Sequence, residues 1–168
     1  MIDLSRIQAL LTGHPLVRGV DLLRPGPVRI ETAFLYPDGA SIDLFVAEEP
    51  GLFPAPRLTD LGQTMSWLLD VQVKPSLSRK RQGFLEDALR IYGAEQRGGE
   101  LARPLPALNE MVPGIVSLGQ ACVRAADLMY TKRSAMVTAF AEQVEEVLND
   151  VDVTYASNVE LEGRFGKA

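Results

Sequence analysis

One stretch constrains the fold more than any other: Pro56-Arg57-Leu58-Thr59-Asp60-Leu61-Gly62-Gln63-Thr64-Met65-Ser66-Trp67-Leu68-Leu69-Asp70. Its pattern changes from extended to helical within a few residues. Arg57 to Thr59 lie among prolines that favour extended backbone before them. Leu61, Met65, Leu68 and Leu69 then recur at helical spacing, with Trp67 on a neighbouring face. Thr59 and Asp60 each carry an oxygen able to cap an orphan N–H of a new helix. Gln63 stands three residues after Asp60, the spacing of a capping box. Gly62 reads as part of the first turn, where another backbone can approach closely. Two readings follow. The stretch is a strand-to-helix corner that holds the core, or Arg57, Thr59, Asp60 and Thr64 form a polar cluster that binds something at the helix start. A helix N-terminus attracts anions, but Asp60 would repel one. Trp67, amid leucines, is expected to be mostly buried.

Strands precede this corner. Val28, Ile30, Thr32 and Phe34 alternate with Arg29, Glu31 and Ala33, and Ile42, Leu44 and Val46 alternate with Asp43 and Phe45. Tyr36-Pro37-Asp38-Gly39 between them is a turn: proline fixes φ and Asp-Gly tolerates a positive φ. The pattern predicts an antiparallel hairpin over 27–35 and 41–47, with Arg57 to Thr59 as a third strand beside the second. Before the hairpin, residues 2–12 read as a short amphipathic helix with the stripe Leu4, Ile7, Leu10 and Leu11, stopped at Gly13. His14, the sole histidine, stands beside Pro15 and reads as an exposed loop residue.

Helices follow. Ser78 caps a helix to about Tyr92, stopped at Gly93, with Phe84, Leu85, Ala88, Leu89 and Tyr92 inward. Its first turn holds Arg79, Lys80 and Arg81, three cations where the helix dipole disfavours them. Residues 94–97 and 100–103 form a small hairpin turning at Gly98-Gly99. A long helix covers 108–130 with the stripe Met111, Ile115, Leu118, Cys122, Ala125 and Met129. A further helix is expected near 135–149, its outer face acidic through Glu142, Glu145, Glu146 and Asp150, and strands over 151–162. Clustered strands followed by helical runs predict an α+β fold. A sheet of three to five antiparallel strands packs on helices 61–70, 79–92 and 108–130. The main domain spans 1–133, and 134–168 forms an arm or the start of a companion domain, apart from the first core. Its strand residues would leave an open edge, and a two-fold dimer is the commonest cover for one.

The 168 residues carry a net charge of −5, which argues against nucleic-acid binding by the whole surface. One cysteine excludes an intramolecular disulfide or a multi-cysteine zinc site, and Cys122 sits in an apolar helical run. No signal-type N-terminus or long apolar run is present, so a cytoplasmic protein without membrane insertion is expected. Nothing in the residues calls for a cofactor or a metal.

The order of motifs carries a resemblance. Thr32-Ala33-Phe34, Asp38-Gly39 and Ile42-Asp43-Leu44-Phe45-Val46 lead into Arg57-Leu58-Thr59-Asp60-Leu61-Gly62-Gln63-Thr64. Ser78-Arg79-Lys80-Arg81, Leu85, Tyr92-Gly93, Gly99-Glu100-Leu101 and Ala126-Asp127-Leu128 follow. Over about residues 15–130 this resembles the bacterial and phage family called domain of unknown function 1828. Ala33 stands where that family commonly has proline. Residues 140–166, with Asn158-Val159, Gly163 and Gly166, are similar to the opening of the companion domain 1829. The companion's later part is nuclease-like and has no counterpart in this sequence. The resemblance implies a fold and a context, and no catalytic residues.

Three functions remain open. The first is a non-catalytic recognition or regulatory module using Arg79, Lys80 and Arg81 with Lys74, where the alternative is a solvated basic turn. Its partner is a protein or a second copy, with a local nucleic-acid contact at the basic turn as the lesser case. The second is a small enzyme. It needs a nucleophile with a base or two placed carboxylates, and only Asp43 and Asp60 offer the latter. The third is a phage-encoded protein that binds and blocks a host protein.

Overall fold

The computed structural model describes residues 4–23, 26–48 and 55–131, together with 148, 162–163 and 166–167. The chain divides into two compact units, Met1–Lys132 and Arg133–Ala168. In the second, a short antiparallel pair joins β7, Glu162–Gly163, to β8, Gly166–Lys167. The helix expected over 135–149 and the strands expected over 151–162 lie almost wholly outside the described residues.

The first unit is an α+β domain. Helix α1 (Leu4–Leu11) is followed by β1 (Val17–Leu22), β2 (Val28–Leu35), β3 (Ser41–Glu48) and β4 (Pro56–Thr59). Next come α2 (Gln63–Asp70), a 3-10 turn at Pro75–Leu77, and α3 (Arg79–Ile91). The hairpin β5 (Glu95–Arg97) and β6 (Glu100–Pro104) leads into α4 (Met111–Ala126), extended by a 3-10 turn over Asp127–Thr131. The six strands form one antiparallel sheet in the order β1-β2-β3-β4-β6-β5.

Six strands exceed the three to five expected, and β1 is the reason. Val17-Arg18-Gly19-Val20-Asp21-Leu22 has no clean alternation, because an edge strand with a bulge between Val17 and Gly19 buries neither face fully. Gln8 Nε2 donates to the Val20 carbonyl at 3.3 Å, which blunts that edge. The other strands obey the local rules. Gly39 closes the β2–β3 turn at φ 86°, and Gly98 and Gly99, at 56° and 94°, close β5–β6.

Directly paired residues share a face of a sheet. Val28, Ile30, Leu44, Val46, Leu58 and Leu101 therefore point to one side, all at most 1% exposed. Helix α4 lies across that side, against β2, β3, β4 and β6, and α2 packs on α4 and β6. The expected α4 stripe is buried from Met111 to Ala125, and α3 buries Leu85, Ala88 and Leu89. On α1, Ile7 and Leu11 are buried, whereas Leu10 is 42% exposed and does not belong to the stripe. The opposite face of the sheet carries Arg29, Glu31, Asp43, Arg57 and Glu100. Asp43 is not the exposed strand residue that alternation suggests. Arg29 grips it through Nε at 2.9 Å and a second guanidinium nitrogen at 2.8 Å, leaving its side chain 14% exposed.

Trp67 packs against the core, as its place among leucines suggests, without being fully enclosed. Its ring stacks on Tyr36 with centroids 5.0 Å apart, and its Nε1 donates to Asp38 Oδ2 at 2.7 Å. The indole is thus a lid on the core. Trp67→Ala is expected to cost about 2–3 kcal/mol, below the range for a fully enclosed tryptophan. A shift in urea midpoint equivalent to less than about 1 kcal/mol would contradict this packing.

Candidate functional site

The Pro56–Asp70 corner is built around one carboxylate. Asp60 is 0% exposed. Its Oδ1 accepts from the backbone N–H of Gly62 and of Leu101, both at 2.8 Å, and Oδ2 accepts from Thr64 N–H at 2.9 Å. Its own N–H donates to the Leu101 carbonyl, and its carbonyl accepts from Gln63 N–H. The carboxylate thereby ties the end of β4, the start of α2 and the middle of β6 together. Leu61 and Gly62 sit at φ 50° and 81°, a left-handed kink that aims the following N–H groups back at Asp60. Gly62 is the residue before the helix, not part of its first turn. A Cβ there would meet the Gly99 carbonyl oxygen at 3.4 Å, so the close backbone approach is real and the neighbour is the β5–β6 turn.

The rest of the polar cluster is linked by further hydrogen bonds, although Arg57 Nε is buried without a partner. Glu100 Oε2 accepts from Arg57 at 2.8 Å and from Thr59 Oγ1 at 2.9 Å, and Thr59 Oγ1 accepts from Leu61 N–H at 3.0 Å. Thr64 Oγ1 lies 3.0 Å from the Tyr36 hydroxyl. Arg57, Thr59, Asp60 and Thr64 are therefore in one neighbourhood, as the spacing suggested, but their oxygens serve one another and the backbone. Glu100 was the member missing from the sequence reading. It lies 41 residues from Thr59 and carries no local signal.

Cys122 is fully buried, and burial pushes its thiol well above the ordinary range. Burial likewise raises Tyr36, partly offset by its hydrogen bond to Thr64. The folded state therefore keeps both protons at a pH where the unfolded chain releases them. Their stabilisation is complete below the unfolded values, about 8.5 for cysteine and about 10 for tyrosine, and is lost as pH rises beyond them. The denaturation midpoint is expected to fall steadily above about pH 9. In native buffer, Cys122 is expected to resist a maleimide until unfolding; rapid labelling of folded protein would refute its enclosure.

The basic turn divides. Ser78 caps α3 through Arg81 N–H, as expected. Arg81 is not a free cation: its Nε donates to Thr131 Oγ1 at 2.9 Å and a terminal nitrogen donates to the Thr131 carbonyl at 3.3 Å. It clasps the last turn after α4. Arg79 and Lys80 are exposed and have no hydrogen-bond or ion-pair partner among the described residues. On α4, Arg124 lies 5.0 Å above the Phe84 ring and pairs with Asp127 at 3.2 Å. His14 is half-buried, and its Nδ1 accepts from Leu16 N–H, which makes it a loop staple.

A groove of about 360 Å³ between α1 and β1 is lined by Gln8, Leu11, Thr12, Val17, Arg18 and Val20, with no cluster of titratable groups. Among the described residues no three His, Cys, Asp or Glu side chains gather as metal ligands, and no helix is long and apolar enough to cross a membrane.

A family model described as domain of unknown function DUF1828 matches residues 32–125. The chain belongs to the DUF1828 family. The matched part of this DUF1828 domain runs from within β2 to the end of α4 and contains both the Asp60 corner and the first turn of α3. Helix α1, strand β1 and everything after residue 125 lie outside the match, including 140–166. Comparison with curated proteins and with solved structures gives no match.

Proposed function

We propose that this DUF1828 domain is a non-catalytic recognition module that contacts a protein partner through the exposed first turn of α3. It acts beside a companion domain whose opening residues 140–166 resemble. The observation that carries this reading is the division of labour among the polar residues. Asp60, Thr59 and Glu100 make their side-chain hydrogen bonds within the fold and Arg57 is held there by Glu100, whereas the side chains of Arg79 and Lys80 have no partner among the described residues. Of the groups that acid–base or nucleophilic chemistry would use, Asp43 is paired through Oδ2 with Arg29, its Oδ1 buried without a partner, and Cys122 lies inside the core.

The test is quantitative affinity capture from a lysate of the encoding organism, using the wild-type chain and the Arg79→Ala/Lys80→Ala variant in parallel. Both positions are exposed, so the variant should melt like the parent. The expected result is a partner retained by the parent and reduced about tenfold on the variant. Equal retention by both, or no partner on either, defeats the reading.

A further inference from the structure

We infer that the corner formed by Leu77, Arg79, Lys80 and Tyr130 binds an acidic protein segment carrying an apolar anchor side chain. This rests on the recognition-module reading and names the chemistry of its partner. Leu77, 78% exposed, and Tyr130, 71% exposed, are the most exposed large apolar side chains among the described residues. They are 53 positions apart in sequence, and the 3-10 turns that carry them both pack on α3. Leu77 directly precedes the Ser78 cap of α3, and Tyr130 directly precedes Thr131. The clasp of Arg81 on Thr131 joins those two places. An isolated exposed leucine needs no explanation, but two large apolar groups on turns that share α3 and are linked by a hydrogen-bonded pair do.

The charge flanking Leu77 has one sign. From Lys74 to Arg81 the chain reads Lys-Pro-Ser-Leu-Ser-Arg-Lys-Arg, with four cations and no acid. Lys74, Arg79 and Lys80 are exposed. Cations at the start of α3 oppose the helix dipole, so folding alone gives no reason for them. A complementary partner supplies negative charge for Arg79 and Lys80 and one apolar side chain to cover Leu77 and Tyr130. Tyrosine and arginine beside aliphatic groups are the residue types on which interface energy concentrates.

A nucleic acid fits less well. The chain has a pI near 4.9, and its cations form a short cluster where a phosphate backbone is tracked by a stripe. The charge distribution agrees with an acidic protein ligand: residues 1–132 hold fourteen basic against fifteen acidic residues, so the basic corner is a local exception on a nearly neutral unit.

The test pans a random peptide-display library against the full chain and measures the best peptide by fluorescence anisotropy. The expected peptides carry Asp or Glu beside Leu, Phe or Trp. Their affinity should fall about tenfold or more in Arg79→Ala/Lys80→Ala, and separately in Leu77→Ser/Tyr130→Ser, and should weaken as salt is raised. Thermal melts of both variants establish that each is folded. Selected peptides without acidic bias, affinities unchanged by either pair, no enrichment at all, or tighter binding of an oligothymidylate than of the peptides would each overturn the inference. Peptides that bind but ignore both pairs would remove this corner while leaving a recognition module standing elsewhere. Failure of the wild-type chain to capture any partner in the earlier lysate test would remove that broader reading by itself.

Discussion

Replacing Asp60 by alanine is expected to cost about 3–5 kcal/mol, a large share of the stability of a domain this size. Three backbone N–H groups, those of Thr64 and Leu101 buried and that of Gly62 part-buried, lose their acceptor at once. Each buried donor left unpaired costs about 1–3 kcal/mol, and hydrogen bonds to a charged acceptor sit at the upper end. Water entering the hole would recover part of this, which keeps the sum below three full penalties. Asp60→Asn keeps one carbonyl oxygen but turns an amide NH2 toward an N–H donor, so it should fall between the parent and alanine. Equilibrium urea unfolding of the three proteins decides the matter. An alanine variant within about 1 kcal/mol of the parent would mean the carboxylate is not the joint between β4, α2 and β6. The same series also separates structure from binding. A folded Asp60→Asn chain should bind its partner as the parent does, because the corner of Arg79 and Lys80 is built from other elements.

The second large effect runs against helix propensity. Alanine normally stabilises a helix interior by about 1 kcal/mol over glycine. In α4 the opposite is expected at Gly114 and Gly119. A Cβ at Gly119 would lie 2.4 Å from two carbons of the Phe34 ring, and one at Gly114 would lie 2.6 Å from Leu58 Cδ1. Leu58 is wholly buried, so its methyl has nowhere free to go. Each substitution is expected to destabilise by about 1–3 kcal/mol through overpacking. Because the two glycines press on different side chains, the double variant should lose roughly the sum. Phe34→Ala combined with Gly119→Ala should recover part of the loss at Gly119, since the clash is then gone. A single Gly119→Ala variant more stable than the parent would show that α4 does not sit this close to β2.

Several features were legible because their causes are local. The alternation of Val28, Ile30, Leu44 and Val46 needs only neighbouring residues to be read, and so does the turn at Asp38-Gly39. The Ser78 cap and the stripe Met111, Ile115, Leu118 and Cys122 are of the same kind. Strand β1 was not legible, because an edge strand with a bulge has no buried face to impose a pattern. Trp67 was legible only in part. Spacing places the indole on α2, but its degree of burial depends on how Tyr36 and Asp38 meet it from a turn 29 residues away.

The candidate site divides along the same line. By itself the sequence determined that Arg57, Thr59, Asp60 and Thr64 would cluster at a strand-to-helix corner, because they lie within eight consecutive residues. It also determined that Arg79, Lys80 and Arg81 share one helical turn. It did not determine what those groups do, since a capping carboxylate, a ligand-binding carboxylate and a buried structural one look alike in a local window. Only the tertiary structure decided that. Pairing of β6 beside β4 brought Leu101 and Glu100 across 41 residues and enclosed Asp60. Packing of α3 on the turn after α4 brought Thr131 across 50 residues, took Arg81 out of the basic turn, and left Arg79 and Lys80 facing water. The physical reason is that a polar side chain takes its role from its partners, and here the deciding partners arrive through long-range pairing that no short stretch of sequence encodes.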